Sequence, residues 1–333
     1  MTCILLATTL AACGSPPTLS RDLDGTGTRL PWSGVENIHA PNLTITVLDV
    51  GQGDAIIVRA PTGEAMLVDA GPPGTGAGTI LPALEAAGID RLSSIVLTHD
   101  HLDHTGGLAE VLAGHDGTAG TEDDIIVEGG IYGDEEISLE AGESEYERGA
   151  NPAAPDRIPV FAGDRLDLGE VDIEVVAARA RLADGTEIDR GDPPDENANS
   201  IVLLVTYAGF RMLLAGDVTG GGGNPPYETP DVETALGPLV GIVDALKVAH
   251  HGSDTSTNQV FLDATAPKVA IISVGDENDY FHPHPAVITR LLAAGAEVYQ
   301  TERGWLESGE SVVAGGTITI VVDAEGAYKL ILP

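Results

Sequence analysis

Three histidines and two aspartates occupy six consecutive positions, His99-Asp100-His101-Leu102-Asp103-His104, in a chain of 333 residues with only nine histidines. Imidazole nitrogens and carboxylate oxygens are the ligand set that suits zinc and related ions. The run follows the apolar segment Ser93-Ser94-Ile95-Val96-Leu97 and precedes Gly106-Gly107. A strand end is a place where side chains converge on one point. Chance clustering in a solvated loop accounts for neither the number of ligands nor their order. Further along, Asp217 ends LLAGD (Leu213–Asp217), His250 and His251 stand in LKVAHHGS (Leu246–Ser253), and FHPHP (Phe281–Pro285) adds His282 and His284.

Alternating apolar residues predict strands over Thr44–Val50 and Ala55–Ala60, joined by a turn at Gly51-Gln52-Gly53-Asp54, and a third over Ala65–Asp69. Helical spacing over Ile80–Ala87 stops at Gly88. Ser94–Leu97 reads as the buried strand that delivers the metal motif, and Leu108–Leu112 as a helix behind it. Val160–Ala177 holds two or three strands, and Ile201–Tyr207 with Phe210–Ala215 makes a hairpin around Ala208-Gly209. A helix near Val232–Leu239, the strands Ala245–Val248 and Val269–Val274, a helix over Ala286–Ala294 and closing strands to Leu332 complete the chain. Strands followed by helices thus occur twice. That order suits two β-rich halves packed face to face with helices outside, a four-layer αβ/βα sandwich over residues 42–333. HDGTAGTEDD (His115–Asp124) gathers carboxylates around glycines but lacks the order of a calcium loop, and reads as acidic surface.

The motifs LDVGQGDAIIV (Leu48–Val58), MLVDAG (Met66–Gly71), H-x-H-x-D-H, NSIVLLV (Asn199–Val205), LLAGD, LKVAHHGS and FHPHP occur in order. Together they resemble the metallo-β-lactamase superfamily, in the branch that contains the hydrolase domain of the DNA-uptake protein ComEC and the choline-phosphate esterases of bacterial surfaces. The resemblance covers about Leu43 to the C-terminus and implies the same sandwich fold. It implies two divalent ions, zinc or alternatively manganese. His99 and His101 would hold the first, Asp103, His104 and His250 the second, and Asp217 would bridge both. Asp103 is thereby part of the catalytic centre. Many superfamily members supply a third histidine to the first ion from just before the hairpin that carries the bridging aspartate. The matching stretch here is Glu196-Asn197-Ala198-Asn199-Ser200, so water or an asparagine such as Asn199 would complete that site, unless Asn199 is a core hydrogen-bonder.

Along an extended strand His250 and His251 would point to opposite sides, so one of them alone is expected to bind metal. His250 is the choice, with His251 beside it or against the substrate. In FHPHP, His284 is expected to face the ions as proton donor to the leaving group, with His282 nearby. Asp69 is expected to orient a ligand loop or a ligating histidine.

Composition narrows the partners. Sixteen lysines and arginines against 52 acidic residues give a formal charge of −36, and the lysines are only three, Lys247, Lys268 and Lys329. Such a surface offers no basic track for long nucleic acid. It does not exclude a phosphate substrate, because bound divalent ions set the sign of the local field. At the N-terminus, Leu10-Ala11-Ala12-Cys13-Gly14 after an apolar start resembles a bacterial lipobox, although residues 1–12 lack the usual basic residue. The expectation is a lipoprotein signal over 1–12, a lipid anchor at Cys13, a flexible tether over 13–41 and a place in the cell envelope, outside the cytoplasm. The expected activity is hydrolysis of a small phosphodiester or an envelope-polymer fragment. The alternatives are a carboxylic ester, lactone or β-lactam hydrolase of the same fold, or a non-catalytic metal-binding lipoprotein.

Overall fold

The computed structural model describes residues 20–23, 42–134, 156–223, 228–305 and 311–333. Cys13 and the signal segment lie outside them. Alternation along each strand sorts side chains into layers. In Leu43–Val47, the residues Leu43, Ile45 and Val47 enter the core between two sheets, while Thr46 turns away and shares a hydroxyl contact with Thr319. In Ala65–Val68, Met66 and Val68 face the same core, whereas Ala65 and Leu67 pack outward with Ile80 and Leu84. The second sheet repeats the pattern: Leu203 and Val205 face inward, Val202 and Leu204 outward. Truncating a central residue such as Leu203 to Ala would cost roughly 2–5 kcal/mol.

The first sheet runs in the order Ser20–Leu23, Tyr328–Ile331, Ile318–Val322, Leu43–Val47, Ile56–Arg59, Ala65–Val68, Ser94–Val96, Ile131–Gly133 and Arg157–Pro159. The second begins with Arg165–Leu168, Val171–Ala178, Val202–Tyr207 and Phe210–Leu214, and continues with Ala245–Lys247, Val269–Ile272, Glu297–Gln300 and Val312–Val313. Each sheet is antiparallel at first, then parallel from Ala65–Val68 and from Phe210–Leu214 onward. The helices Leu81–Ala86 and Leu108–Leu112 cover the outer face of the first sheet. Glu233–Val240, Gln259–Thr265 and Pro285–Ala293 cover that of the second. The layers are therefore helix, sheet, sheet, helix, the αβ/βα sandwich anticipated from the sequence.

Strands Ile131–Gly133 and Arg157–Pro159 are absent from the sequence-based outline, and three further elements depart from it. Ser20–Leu23, within the segment assigned to the tether, pairs antiparallel with Tyr328–Ile331. A helix at Gln259–Thr265 is too short to show a period, and it starts because the Asn258 side chain accepts the Phe261 N–H. Inside the metal motif itself, Leu102–Thr105 winds into one helical turn.

Candidate metal centre

The loops that matter leave the carboxyl ends of parallel strands, where open α/β sheets place their ligands. Strand Ser94–Val96 feeds Thr98 and His99, while His101 caps the turn Leu102–Thr105, which presents Asp103 and His104. Asp69 follows strand Ala65–Val68 in a left-handed conformation, φ 59°, that turns its carboxylate toward this loop. Its Oδ1 accepts the Thr98 N–H at 2.8 Å, and its Oδ2 accepts the Thr98 hydroxyl and the His104 Nδ1–H, each at 2.8 Å. With its proton given to Asp69, the Thr98 hydroxyl accepts from His99 Nδ1 at 3.1 Å. Both rings are thereby fixed as Nδ1–H tautomers with the Nε2 lone pair facing the cleft. His101 Nδ1 stands 3.0 Å from His99 Nε2.

From the second half, Asp217 follows strand Phe210–Leu214 and donates its backbone N–H to Ser200 Oγ at 3.0 Å. Its Oδ2 lies 3.4 Å from His104 Nε2, 3.6 Å from His251 Nε2, 3.9 Å from His99 Nε2 and 4.0 Å from His250 Nε2. The two adjacent histidines do not continue a strand. Strand Ala245–Lys247 has ended, and His250 and His251 both adopt left-handed backbone, φ 51° and 52°. Both rings therefore reach the cleft, and the choice between them reverses. His251 donates Nδ1–H to Ser273 O at 2.9 Å and aims Nε2 to within 3.4 Å of Asp103 Oδ2. His250 stands further out, with Nδ1 beside the Thr255 hydroxyl and Nε2 3.4 Å from Asn197 Nδ2. His251 joins Asp103 and His104, and His250 faces the cavity.

The donor set fits divalent ions. His104 Nε2, His251 Nε2 and Asp217 Oδ1 are buried without a hydrogen-bond partner, a costly arrangement unless a cation satisfies them. Ligand atoms about 2.0–2.2 Å from one ion can be no more than ~4.4 Å apart, and the separations from Asp217 Oδ2 to His104, His251, His99 and His250 all meet that limit. Four groups of donors close on themselves: Asp103–His104–His251 and His99–His104–Asp217 at the cleft, and Asp54–Asp217–His251 and Asp54–Asp69–His104 behind it. The electrostatics agree. Burial opposes charge on Asp217, but His251, His104 and His250 outweigh it and hold the carboxyl well below its ordinary range. Burial, with His104 alongside, keeps His99 well below the usual imidazole range. His104 is the reverse: burial works against protonation, but Asp217, Asp69 and Asp103 hold it well above, so its Nε2 presents a lone pair only where a cation displaces the proton.

One other sequence-based choice is corrected. His284 is not among the described residues that line the cavity: it occupies the N-cap position of helix Pro285–Ala293, and its Nδ1 accepts the Asp254 N–H at 2.8 Å. His282 lines the cavity instead. Asn278 grips its backbone on both sides, and Gln52 Nε2 donates to its Nδ1 at 3.4 Å, leaving Nε2–H as a donor. Burial and the neighbouring His250, His251 and His284 push its pKa down to about 3. The loop comes this close because Gly252, φ 81°, has no Cβ; one there would lie 2.7 Å from Pro283 Cβ. Asn199 takes the second of its two expected roles, that of a hydrogen-bonder. Its Oδ1 accepts from Arg190 and its Nδ2 donates to Glu196, whose other oxygen accepts the Asp100 N–H, so it braces the metal loop from behind. Asn197 is the asparagine that lines the cavity.

The cavity measures about 570 Å³ and is lined by the apolar Pro72, Pro73 and Leu102 as well as by His250, His282, Tyr280 and the carboxylates Asp103 and Asp217. Sequence reasoning missed Gln52, Asn197, Ser273 and the buried pair Asp54–Lys247. The signal for the last was in view, a single lysine inside the apolar strand that precedes His250.

A family model for the metallo-β-lactamase superfamily matches residues 48–276. The chain is 32% identical over 269 residues to Competence protein ComA of Neisseria gonorrhoeae, covering 80% of this chain and 32% of that protein. It is 29% identical over 278 residues to ComE operon protein 3 of Bacillus subtilis, covering 78% of this chain and 32% of that protein. The chain thus spans about a third of the length of the curated relatives it matches. Among solved structures, the metallo-β-lactamase fold protein YhfI of Bacillus subtilis aligns with a TM-score of 0.48 at 11% identity, over 79% of this chain and 98% of that one.

Proposed function

The chain belongs to the metallo-β-lactamase superfamily, and from that premise we propose that it is a dinuclear metal-dependent phosphodiesterase acting on small diesters or on phosphate-bearing fragments of envelope polymers. The observation that supports this most is the place of Asp217. One carboxylate oxygen stands 3.4–4.0 Å from four imidazole nitrogens drawn from both halves of the fold. That is the environment a bridging carboxylate requires. His99 and His101 with Asp217 would hold one ion, and Asp103, His104 and His251 with Asp217 the other. When bound, divalent ions supply Lewis-acid activation of water and of the scissile ester.

The protein's own groups do the rest. Asp69, Thr98 and Ser273 lock three ligand rings in the tautomer that presents Nε2. His282 offers an Nε2–H donor to a phosphate oxygen, and His250 faces the same space with its ring 5.3 Å away. Pro72, Pro73 and Leu102 form the apolar wall against which the non-reacting part of a substrate rests. Among the described residues, no lysine or arginine lines the cavity. Together with the formal charge of −36, this favours a small diester over long nucleic acid. A carboxylic ester, lactone or β-lactam hydrolase would be favoured by a third histidine on the first ion, and asparagine stands in that stretch.

The test is a comparison of kcat/KM for a bis-aryl phosphodiester, a phosphomonoester, a lactone, a β-lactam and duplex DNA, at moderate salt with zinc or manganese. The diester should lead. A lead for the lactone, the β-lactam or duplex DNA overturns the substrate reading. We also propose envelope anchoring through Cys13. A Cys13→Ser variant in a bacterial host should stay unacylated and leave the membrane fraction, and unchanged fractionation refutes the anchor.

A further inference from the structure

Lys247 shares a strand face with Ala245 and therefore points into the core between the sheets, among residues such as Met212, Leu214 and Ile271. It is fully buried, and its Nζ lies 2.7 Å from Asp54 Oδ2, itself 1% exposed, and donates to Val248 O at 3.0 Å. Asp54 comes from the opposite sheet, at the end of the Gly51–Gly53 turn, so the pair spans the two halves of the sandwich. As a source of stability this is a poor choice. Desolvating both charges offsets most of their attraction, and apolar residues of similar volume commonly serve as well or better.

The neighbours of the pair suggest another use. The Asp54 N–H donates to Asp103 O at 3.1 Å, and Asp54 Oδ1 lies 3.5 Å from His251 Nδ1. Gly53 O accepts the Ser273 hydroxyl at 2.6 Å, and Ser273 O in turn accepts His251 Nδ1–H. Gly53 is required for this approach, since a Cβ there would lie 2.3 Å from Asp103 O. Two of the three residues in the Asp103–His104–His251 group, Asp103 through its backbone carbonyl and His251 through its ring, thus rest on one dipeptide, and Lys247 is the ion that anchors it.

We propose that Asp54 and Lys247 form a buried positioning pair that holds Asp103 and His251 in register as ligands of the second ion. The inference rests on the metal-centre reading above. Partners behind a ligating histidine typically carry 10–100-fold of metal affinity. Lys247→Met, Asp54→Asn and the double variant are therefore each expected to weaken the second metal equivalent by ~10–100-fold while leaving the first unchanged.

The experiment titrates apo full-length chain with Zn(II) by calorimetry and with Co(II) by visible d–d absorption, alongside thermal melting of the apo forms. The expected result is a weaker second equivalent and a shifted Co(II) spectrum, with an apo melting temperature of the double variant no lower than wild type. Wild-type affinity and spectrum for both equivalents overturn the proposal, whatever happens to the melting temperature. Should the double variant fail to fold, the near-isosteric Asp54→Asn supplies the same comparison. His251→Ala separates the two readings: if it keeps both equivalents, the metal-centre reading has failed, and not the positioning role alone.

Discussion

Exchanging either of two adjacent histidines for alanine should have opposite consequences, and the difference follows from geometry. His251 Nε2 lies 3.4 Å from Asp103 Oδ2 and 3.6 Å from Asp217 Oδ2, inside the limit of ~4.4 Å for donors sharing an ion. It belongs to a closed group of three donors. His250 Nε2 has Asp217 Oδ2 at 4.0 Å and an amide nitrogen at 3.4 Å, and belongs to no closed group among the described residues. Loss of one ligand of a three- or four-donor site should cost at least ~100-fold in affinity, about 2.7 kcal/mol. His251→Ala should therefore retain one metal equivalent after gel filtration where wild type retains two. His250→Ala should retain both and lose roughly 10²–10⁴-fold in kcat, the range for a group that donates or accepts a proton or hydrogen bond in the transition state. Elemental analysis of the filtered proteins, with initial rates on a bis-aryl phosphodiester, reads both quantities. His251→Ala also loses the bond to Ser273 O, so the apo forms are compared by thermal melting, where a shift of a few degrees is expected. Two equivalents in His251→Ala and one in His250→Ala would refute the geometric reasoning.

Asp217→Ala should release at least one metal equivalent and abolish turnover while the fold persists by circular dichroism; two retained ions with substantial activity would remove the bridging role. His282→Ala should lower kcat by about two orders of magnitude and His284→Ala by far less, because only the former lines the cavity; matched kinetics on diesters with good and poor leaving groups decide it. Glu233 is fully buried at the start of its helix, where burial outweighs the Thr257 and Asn258 N–H donors and raises its carboxyl to about 8. The folded state then binds more protons than the unfolded one between the ordinary carboxylate range and pH ~8. Stability on this account is full below pH ~4.5 and falls by roughly 3–5 kcal/mol as pH rises to ~8. Denaturant unfolding of wild type and Glu233→Gln at pH 5.5 and 8 should show a smaller pH difference in the variant.

Short-range order along the chain was sufficient for much of this. The alternation in Leu43–Val47 and Ile201–Tyr207 assigns faces to strands, and the spacing His99, His101, Asp103, His104 places four donors in a loop too short to separate them. Asp217 and Asp69 could be singled out for the same reason, each standing one to three residues past a strand end. Side-chain direction beyond a strand end is another matter, because it depends on the sign of φ, and packing sets that sign. The left-handed pair His250–His251 sends both rings into one cleft, with Ser273 O and Pro283 against Gly252 supporting the turn. That reversed the choice of ligand. His282 replaced His284 because Asp254 already engages the residue first chosen, and of the two roles open to Asn199 the contacts with Arg190 and Glu196 select the hydrogen-bonded one. Asp54 and Lys247, far apart in sequence, meet only when the two sheets close face to face. Local spacing names which chemical groups a loop carries; which of them look at one another is decided by contacts between residues that the chain itself keeps apart.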